Sequence, residues 1–312
     1  MNQKLKAPIV IFCYRRKIDD LLHSLLQNQE AQFSELYIFS DGFKNKNDRV
    51  DVDNVRKSLR NISGFKSIEI VESSKNRGLA ASIISGVTSV LNKHDNIIVL
   101  EDDLIVSKYF LSFMNEALDF YEARRDIWSI SGYSPPMNCL KDYKNDVFLS
   151  VRSSSWGWAT WSSRWNNIDW EIKDFATLKN SKEQIANFNV GGNDMFNMHE
   201  LQYLGKIDSW AIRWCNAQFK NNSYSVVPKL SLISNEGFSD NLGTHNSGDD
   251  RRWSVNFIDR KPVLQNVQPE KKIIKCFQKY HNLKLFTRIG YFLKKRGGYK
   301  FAKNIIRRIR SC

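Results

Sequence analysis

Residues 97–107 read IIVLEDDLIVS, so a run of four apolar residues leads straight into Glu101-Asp102-Asp103. Adjacent carboxylates repel one another and are costly to desolvate, and an acid triplet ending a buried strand therefore needs a counter-charge. Oxygen donors in such a place suit a hard divalent cation. Mg²⁺ commonly takes one or two carboxylates together with substrate phosphates, and Mn²⁺ also prefers oxygen ligands. The chemistry would be a metal bridge from the acids to a diphosphate. The competing explanation is an acidic turn capping the helix that begins near Ser107, since acids are favoured at helix N-termini. Two matching polar positions weigh against that turn: Arg15 closes VIFCYR (10–15), and Asp41 closes a similar apolar run in ELYIFSDG (35–42).

The elements that must position these groups follow from the spacing of apolar residues. PIVIFCYRR (8–16) reads as a first buried strand and DDLLHSLLQNQ (19–29) as a helix with Leu21, Leu22, Leu25 and Leu26 on one face. ELYIFSDG is a second strand, VDVDNVRKSLRNI (50–62) a helix and KSIEIVESS (66–74) a third strand. NRGLAASIISGVTSVLNK (76–93) is a helix opened by Gly78, NIIVLEDD (96–103) a fourth strand and SKYFLSFMNEALDFYEA (107–123) another helix. Strands alternating with helices indicate an α/β fold with a mostly parallel central sheet flanked by helices. Ligands of such sheets sit at the carboxyl ends of the strands. Arg15, Asp41 and the acid triplet all fall there.

Beyond residue 130 the texture changes. IWSISGY (127–133) suggests one more strand, and Pro135-Pro136 interrupts the chain. SSSWGWATWSSRWNNIDW (153–170) holds five of the nine tryptophans, with small residues between them, which suits a shaped, half-open surface, although core packing is the expectation for most of the five. DSWAIRWCNAQF (208–219) reads as a helix, and residues 227–248 as a strand running into a Gly/Asn/Ser loop. The expected organisation is a nucleotide-binding half over residues 1–130, an acceptor half over 131–265 in the same domain, and a basic helical tail over 266–312.

Charge supports the separate tail. The chain carries 47 Lys and Arg against 33 Asp and Glu, a net +14, and residues 271–312 hold 14 of the basic residues and no acid. The body is therefore neutral, unlike a nucleic-acid binder with a basic face. In YKFAKNIIRRIRSC (299–312), Phe301, Ile305 and Ile309 recur at helical spacing among Lys and Arg. That pattern suits peripheral attachment to an anionic membrane surface. No apolar run approaches the roughly 20 residues a membrane span needs, and the N-terminus lacks a signal-peptide layout. The five cysteines (13, 139, 215, 276, 312) form no CxxC pair, which points to reduced thiols and a cytoplasmic location at the inner face of the membrane.

VIFCYR (10–15), FSDG (39–42), VLEDDLIVSKYF (99–110) and WGWATWSSRW (156–165) resemble the GT-A glycosyltransferases. The similarity is to the family of the N-acetylglucosaminyltransferase that initiates complex N-glycans, and to bacterial glycosyltransferases of polysaccharide clusters. It covers about half the chain and is most specific around EDDL. The resemblance implies a metal-dependent enzyme that moves a sugar from a nucleotide diphosphate, UDP above all, to a glycan or lipid-linked glycan. It implies Asp103 as ligand of Mn²⁺ or Mg²⁺, Asp102 on the ribose, Glu101 near the donor sugar, and Arg15 and Asp41 on the nucleotide. Arg77 joins that donor-binding set.

The family's general base is an aspartate in an acidic pair flanked by tryptophans. The counterpart in IDSW (207–210) has one acid, Asp208, with Ser209 standing at an acidic position; Asp194 and Glu200 are competitors, and Asp208 also suits a helix N-cap. His245, in the loop GTH (243–245), is a second metal-ligand candidate, and Trp156 and Trp158, either side of Gly157, are candidates for the acceptor wall. Inverting transfer is expected on the same grounds as Asp208. Two readings from other classes stay open: a non-catalytic nucleotide- or membrane-binding protein, and a nucleotidyltransferase. The second normally carries a Gly-rich phosphate loop after the first strand, and FCYRRKIDD (12–20) has no glycine.

Overall fold

The computed structural model describes residues 6–237 and 260–283. His245 and the segment 299–312 lie outside the described residues. The fold is α/β, built on an eight-stranded sheet in the order β3-β2-β1-β4-β8-β6-β9-β7. The strands are β1 (Ile9–Cys13), β2 (Glu35–Ser40), β3 (Ser67–Glu72), β4 (Asn96–Glu101), β6 (Ile127–Ser131), β7 (Val147–Ser150), β8 (Trp158–Trp161) and β9 (Tyr224–Pro228). β1 to β4 are mutually parallel where they pair, and β9 runs parallel to β6. β8 and β7 are antiparallel to their neighbours. A separate antiparallel pair joins β5 (Leu104–Val106) to β10 (Ile233–Asn235).

Alternation along β1 divides the core into two layers. Ile9, Ile11 and Cys13 face the layer packed by α1 (Asp19–Leu26), α2 (Arg49–Leu59) and α4 (Phe110–Tyr121). Val10 and Phe12 face the layer packed by α3 (Leu79–Leu91) and α9 (Trp210–Lys220). Strands buried on both faces read as continuous apolar runs, which is why IVIFC and IIVL are recognisable in the sequence. Four further helices fill the second half: α5 (Ser162–Trp165), α6 (Phe175–Lys179), α7 (Lys182–Phe188) and α8 (Met195–Tyr203).

Three features bear on the sequence reading. The Trp-rich stretch contains strand β8, and Trp161 and Trp165 are buried as expected of core residues, whereas Trp158, expected at the site wall, is buried with them. Neighbouring strands cover both edges of β8, so its aromatic residues pack inward. The beginning of the basic segment is also attached to the body. Helix α10 (Lys271–His281) buries Ile273 and Phe277 against Met137, Leu140, Phe148 and Val227. Lastly, Cys139 and Cys276 are disulfide-bonded, against the expectation of reduced thiols. The two lie 137 residues apart, and only the docking of α10 brings them together. Cys13 and Cys215 are free and buried.

Candidate active-site crevice

The chain leaves β1 toward β2 and β3, then returns to place β4 on the other side of β1. This is a topological switch point, where open α/β sheets form their ligand crevices. The residues leaving β1 there are Tyr14, Arg15 and Arg16; those ending β4 are Glu101, Asp102 and Asp103.

Asp102 and Asp103 meet Arg16, three residues beyond the end of β1. Asp102 accepts hydrogen bonds from the Tyr14 backbone N–H (3.0 Å) and from Arg16 Nη1 (3.2 Å). The same Arg16 nitrogen lies 3.8 Å from Asp103 Oδ2. The Asp102 and Asp103 side chains keep 18% and 25% of their surface open, the geometry of a crevice wall rather than of a core or a free surface. Burial raises the Asp102 pKa to about 6, with repulsion from Asp103 adding to it; the Tyr14 N–H and Arg16 act in the opposite direction. Burial also raises Glu101 well above the usual carboxylate range, helped by Asp103 and then Asp102. Burial and mutual repulsion thus both act against ionisation of Glu101 and Asp102.

Arg16 is the residue the sequence reading missed. The need for a counter-charge was legible, but the doublet Arg15-Arg16 offers two choices. The exit of the chain from β1 separates them: Arg15 turns to Asp48 (2.8 Å), which also accepts from the Tyr14 hydroxyl, and Arg16 turns to the acids.

Asp41 is a structural clamp. Its two oxygens accept from the backbone N–H groups of Gly42, Arg77 and Gly78 and from Asn76 Nδ2, all within 3.2 Å. This holds the turn that starts α3 against the end of β2. A Cβ at Gly42 would come within 2.4 Å of the Lys75 backbone, so the approach requires glycine. Arg77 is fixed through its main chain, and its side chain is exposed.

On the other side of β4, the pairing of Val99 with Trp158 in β8 carries Trp156 to the level of Glu101. A cavity of about 300 Å³ opens there, lined by Trp156, Tyr133, Arg152, Ser209 and Phe277 among others. Trp156 is half-buried, its ring edge-on to Tyr133 with centroids 4.4 Å apart. Trp158 takes no part. It is 1% exposed, with ring centroids of Trp165, Trp210 and Trp214 at 5.2–5.7 Å, so the reading of it as an acceptor wall is corrected to core.

Ser209 is the N-cap of α9, its hydroxyl accepting from the Ile212 N–H. Asp208 is one residue earlier, exposed, and paired with Arg213 at 2.8 Å. It therefore stands beside a residue of the cavity wall and free of the cap. Its competitors are tied down. Asp194 is buried in a two-point ion pair with Arg152 (2.8 and 3.0 Å), and buried Glu200 lies 3.7 Å from Lys179.

The chain after β10 also reaches the acids. The Glu236 N–H donates to the Asp103 carbonyl (2.8 Å), and a Cβ at Gly237 would meet Asp103 Oδ2 at 2.6 Å. Among the described residues no three His, Cys, Asp or Glu side chains form a metal cluster. The donor chemistry nonetheless fits a hard cation of the kind that binds through one or two carboxylates plus substrate oxygens: Asp102 and Asp103 present partly exposed carboxylate oxygens side by side.

No family model matches the sequence, and no curated protein matches it. Among solved structures, the mannosyltransferase PcManGT from Pyrobaculum calidifontis, in complex with GDP-Man and Mn²⁺, is similar at 11% identity and a TM-score of 0.34, over 50% of this chain and 45% of its own. The glycosyltransferase GlyE of Streptococcus pneumoniae TIGR4 is similar at 12% identity and a TM-score of 0.34, over 70% and 45%. A UDP-glucose pyrophosphorylase complexed with UDP-glucose is similar at 12% identity and a TM-score of 0.36, over 72% and 91%. The chain thus spans less than half the length of the first two.

Proposed function

We propose that the protein is a metal-dependent glycosyltransferase that uses a nucleotide-diphosphate sugar, UDP-linked in the first instance, and a glycan or lipid-linked glycan acceptor. The observation that carries this reading is the acid triplet at the switch point, held by Tyr14 and Arg16 and flanked by a second, aromatic-walled cavity. A divided crevice of this kind suits a reaction with two substrates.

Asp103, with Asp102 beside it, would hold Mn²⁺ or Mg²⁺, and His245 is the proposed additional ligand from the segment after Gly237. A cation bound there would act as a Lewis acid, offsetting charge on the departing diphosphate. Asp102 and Glu101 line the place of the ribose and donor sugar. Arg15 stands at the same mouth, 30% exposed, and Asp41 shapes the turn at Arg77 beside it.

In the transfer, the acceptor hydroxyl oxygen forms a bond to the anomeric carbon as that carbon's bond to the diphosphate oxygen breaks. The hydroxyl proton passes to Asp208, acting as general base, and the nucleoside diphosphate leaves with the bonding electron pair. Attack from the cavity side, opposite the leaving group, gives inversion. We further place the enzyme in surface polysaccharide synthesis at the cytoplasmic face of a membrane, attached through the basic residues after 283. The Cys139–Cys276 bond is the observation that pulls against a reducing compartment.

The test is Mn²⁺-dependent hydrolysis and calorimetric binding of a panel of nucleotide sugars, for wild type and Asp103→Ala. Release of a nucleoside diphosphate from one donor, reduced at least about a hundredfold in the variant, is the expected result. Absence of both turnover and metal-dependent binding for every donor in the panel would overturn the reading.

A further inference from the structure

The cavity beside Trp156 differs in chemistry from the acid crevice it adjoins. Arg152 is its one lining side chain with a fixed charge, and both terminal nitrogens of that guanidinium are turned to Asp194. An anionic ligand would have to compete with this buried two-point pair. The remaining polar groups are the hydroxyls of Tyr133 and of five serines, at 131, 153, 154, 155 and 209, with the Cys215 thiol and the His281 imidazole. The apolar wall comes from Trp156, Met198, Ile212 and Phe277. At about 300 Å³, the volume is at the small end of ligand sites.

We propose that this cavity is the acceptor subsite and that it takes one uncharged pyranose ring, a hexose or N-acetylhexosamine end group, in preference to an anionic sugar or a sugar phosphate. The term acceptor rests on the function proposed above; the binding of a neutral ring does not. A pyranose offers a C–H face for Trp156 and equatorial hydroxyls for the serines. Fixed aromatic side chains supply such contact area at low entropic cost. The position fits transfer, because Trp156 lies level with Glu101 and Ser209 adjoins Asp208. Helix α10 closes the far side through Phe277 and His281, so the wall includes a segment that follows the sheet in the chain.

The experiment is saturation-transfer NMR on the full chain with methyl hexosides, methyl N-acetylhexosaminides, a methyl glucuronide and a hexose phosphate, each with and without UDP and Mn²⁺. The proteins are wild type, Asp103→Ala, Trp156→Ala and Ser155→Trp, the last filling the cavity without removing its aromatic wall; circular dichroism checks the fold of each. A neutral glycoside should bind wild type and Asp103→Ala alike, and binding should weaken at least tenfold in both cavity variants. Loss of donor hydrolysis in Asp103→Ala with glycoside binding intact separates this site from the donor reading. Preference for the glucuronide or the phosphate overturns the neutral class. Binding of no glycoside, or undiminished binding in either folded cavity variant, overturns the site.

Discussion

The two halves of the molecule use opposite means to build one crevice. From β1 to β4 the core is aliphatic, and polar groups are concentrated where strands end: Arg16, Asp41 and the acid triplet. From β6 onward the core is aromatic. Trp158, Trp165, Trp210 and Trp214 stack around β8 and α9, and the cavity is a gap left beside that stack. In the first half the proposed site rests on charges that the fold tolerates at some expense. In the second it rests on shape, which the packing of large rings sets.

The largest expected effect tests the aromatic half. Trp158→Ala removes a ring buried among three others and should lower stability by about 3–5 kcal/mol. Trp156→Ala, at a half-buried position, should cost less than half of that; equal losses in urea unfolding would erase the distinction between core and wall. Next is Asp208→Asn, which should lower kcat about a hundredfold with donor affinity unchanged in calorimetry. A fall in donor affinity would move Asp208 from the acceptor side to the donor side. Cys276→Ser releases α10 and should lower the unfolding free energy by about 2–4 kcal/mol. A free-thiol count by mass spectrometry under non-reducing conditions checks the bond itself.

The smallest effect has the opposite sign. The folded protein holds the Asp102 proton up to about pH 6, whereas an unfolded aspartate releases it near pH 4. Native protein binds more protons across that window, so metal-free stability falls as pH rises through it. Metal affinity runs the other way and should weaken as pH drops below about 6, because the ligand must be ionised. Asp102→Asn should therefore raise metal-free stability at pH 7 by about 1 kcal/mol, allowing for partial exposure, while weakening donor binding. Thermal melts at pH 5 and 7 decide this: a variant no more stable than wild type at pH 7 would show that ionised Asp102 is already fully compensated in the folded protein.

The same contrast explains what could be read from the chain alone. The first half was legible because β1 and β4 are two-sided apolar runs and its helices repeat at 3.6 residues; IIVLEDD announces both a strand and its acidic end. The choice between Arg15 and Arg16 was hidden, since it depends on how the chain leaves β1. Asp41 was placed correctly at a strand end, but its partners at Arg77 and Gly78 belong to a turn 36 residues later, and this made it a clamp. In the second half, WGWATW carries the alternation of a strand, yet its wealth of tryptophan reads equally as a binding surface. Only the pairing of β8 between β4 and β6 decides that Trp158 is inside and Trp156 at the rim. The union of Cys139 with Cys276 depends on the docking of α10, which no local pattern reveals.

That docking also orders the molecule in time. A chain emerging from the ribosome folds from its N-terminal side first, and every strand of the large sheet has been made by residue 228. Phe277 and His281 arrive later to close the cavity. The described residues of the acid crevice are thus all synthesised before the neighbouring wall is, and under the proposed function a growing chain would be able to hold a donor before it could select an acceptor.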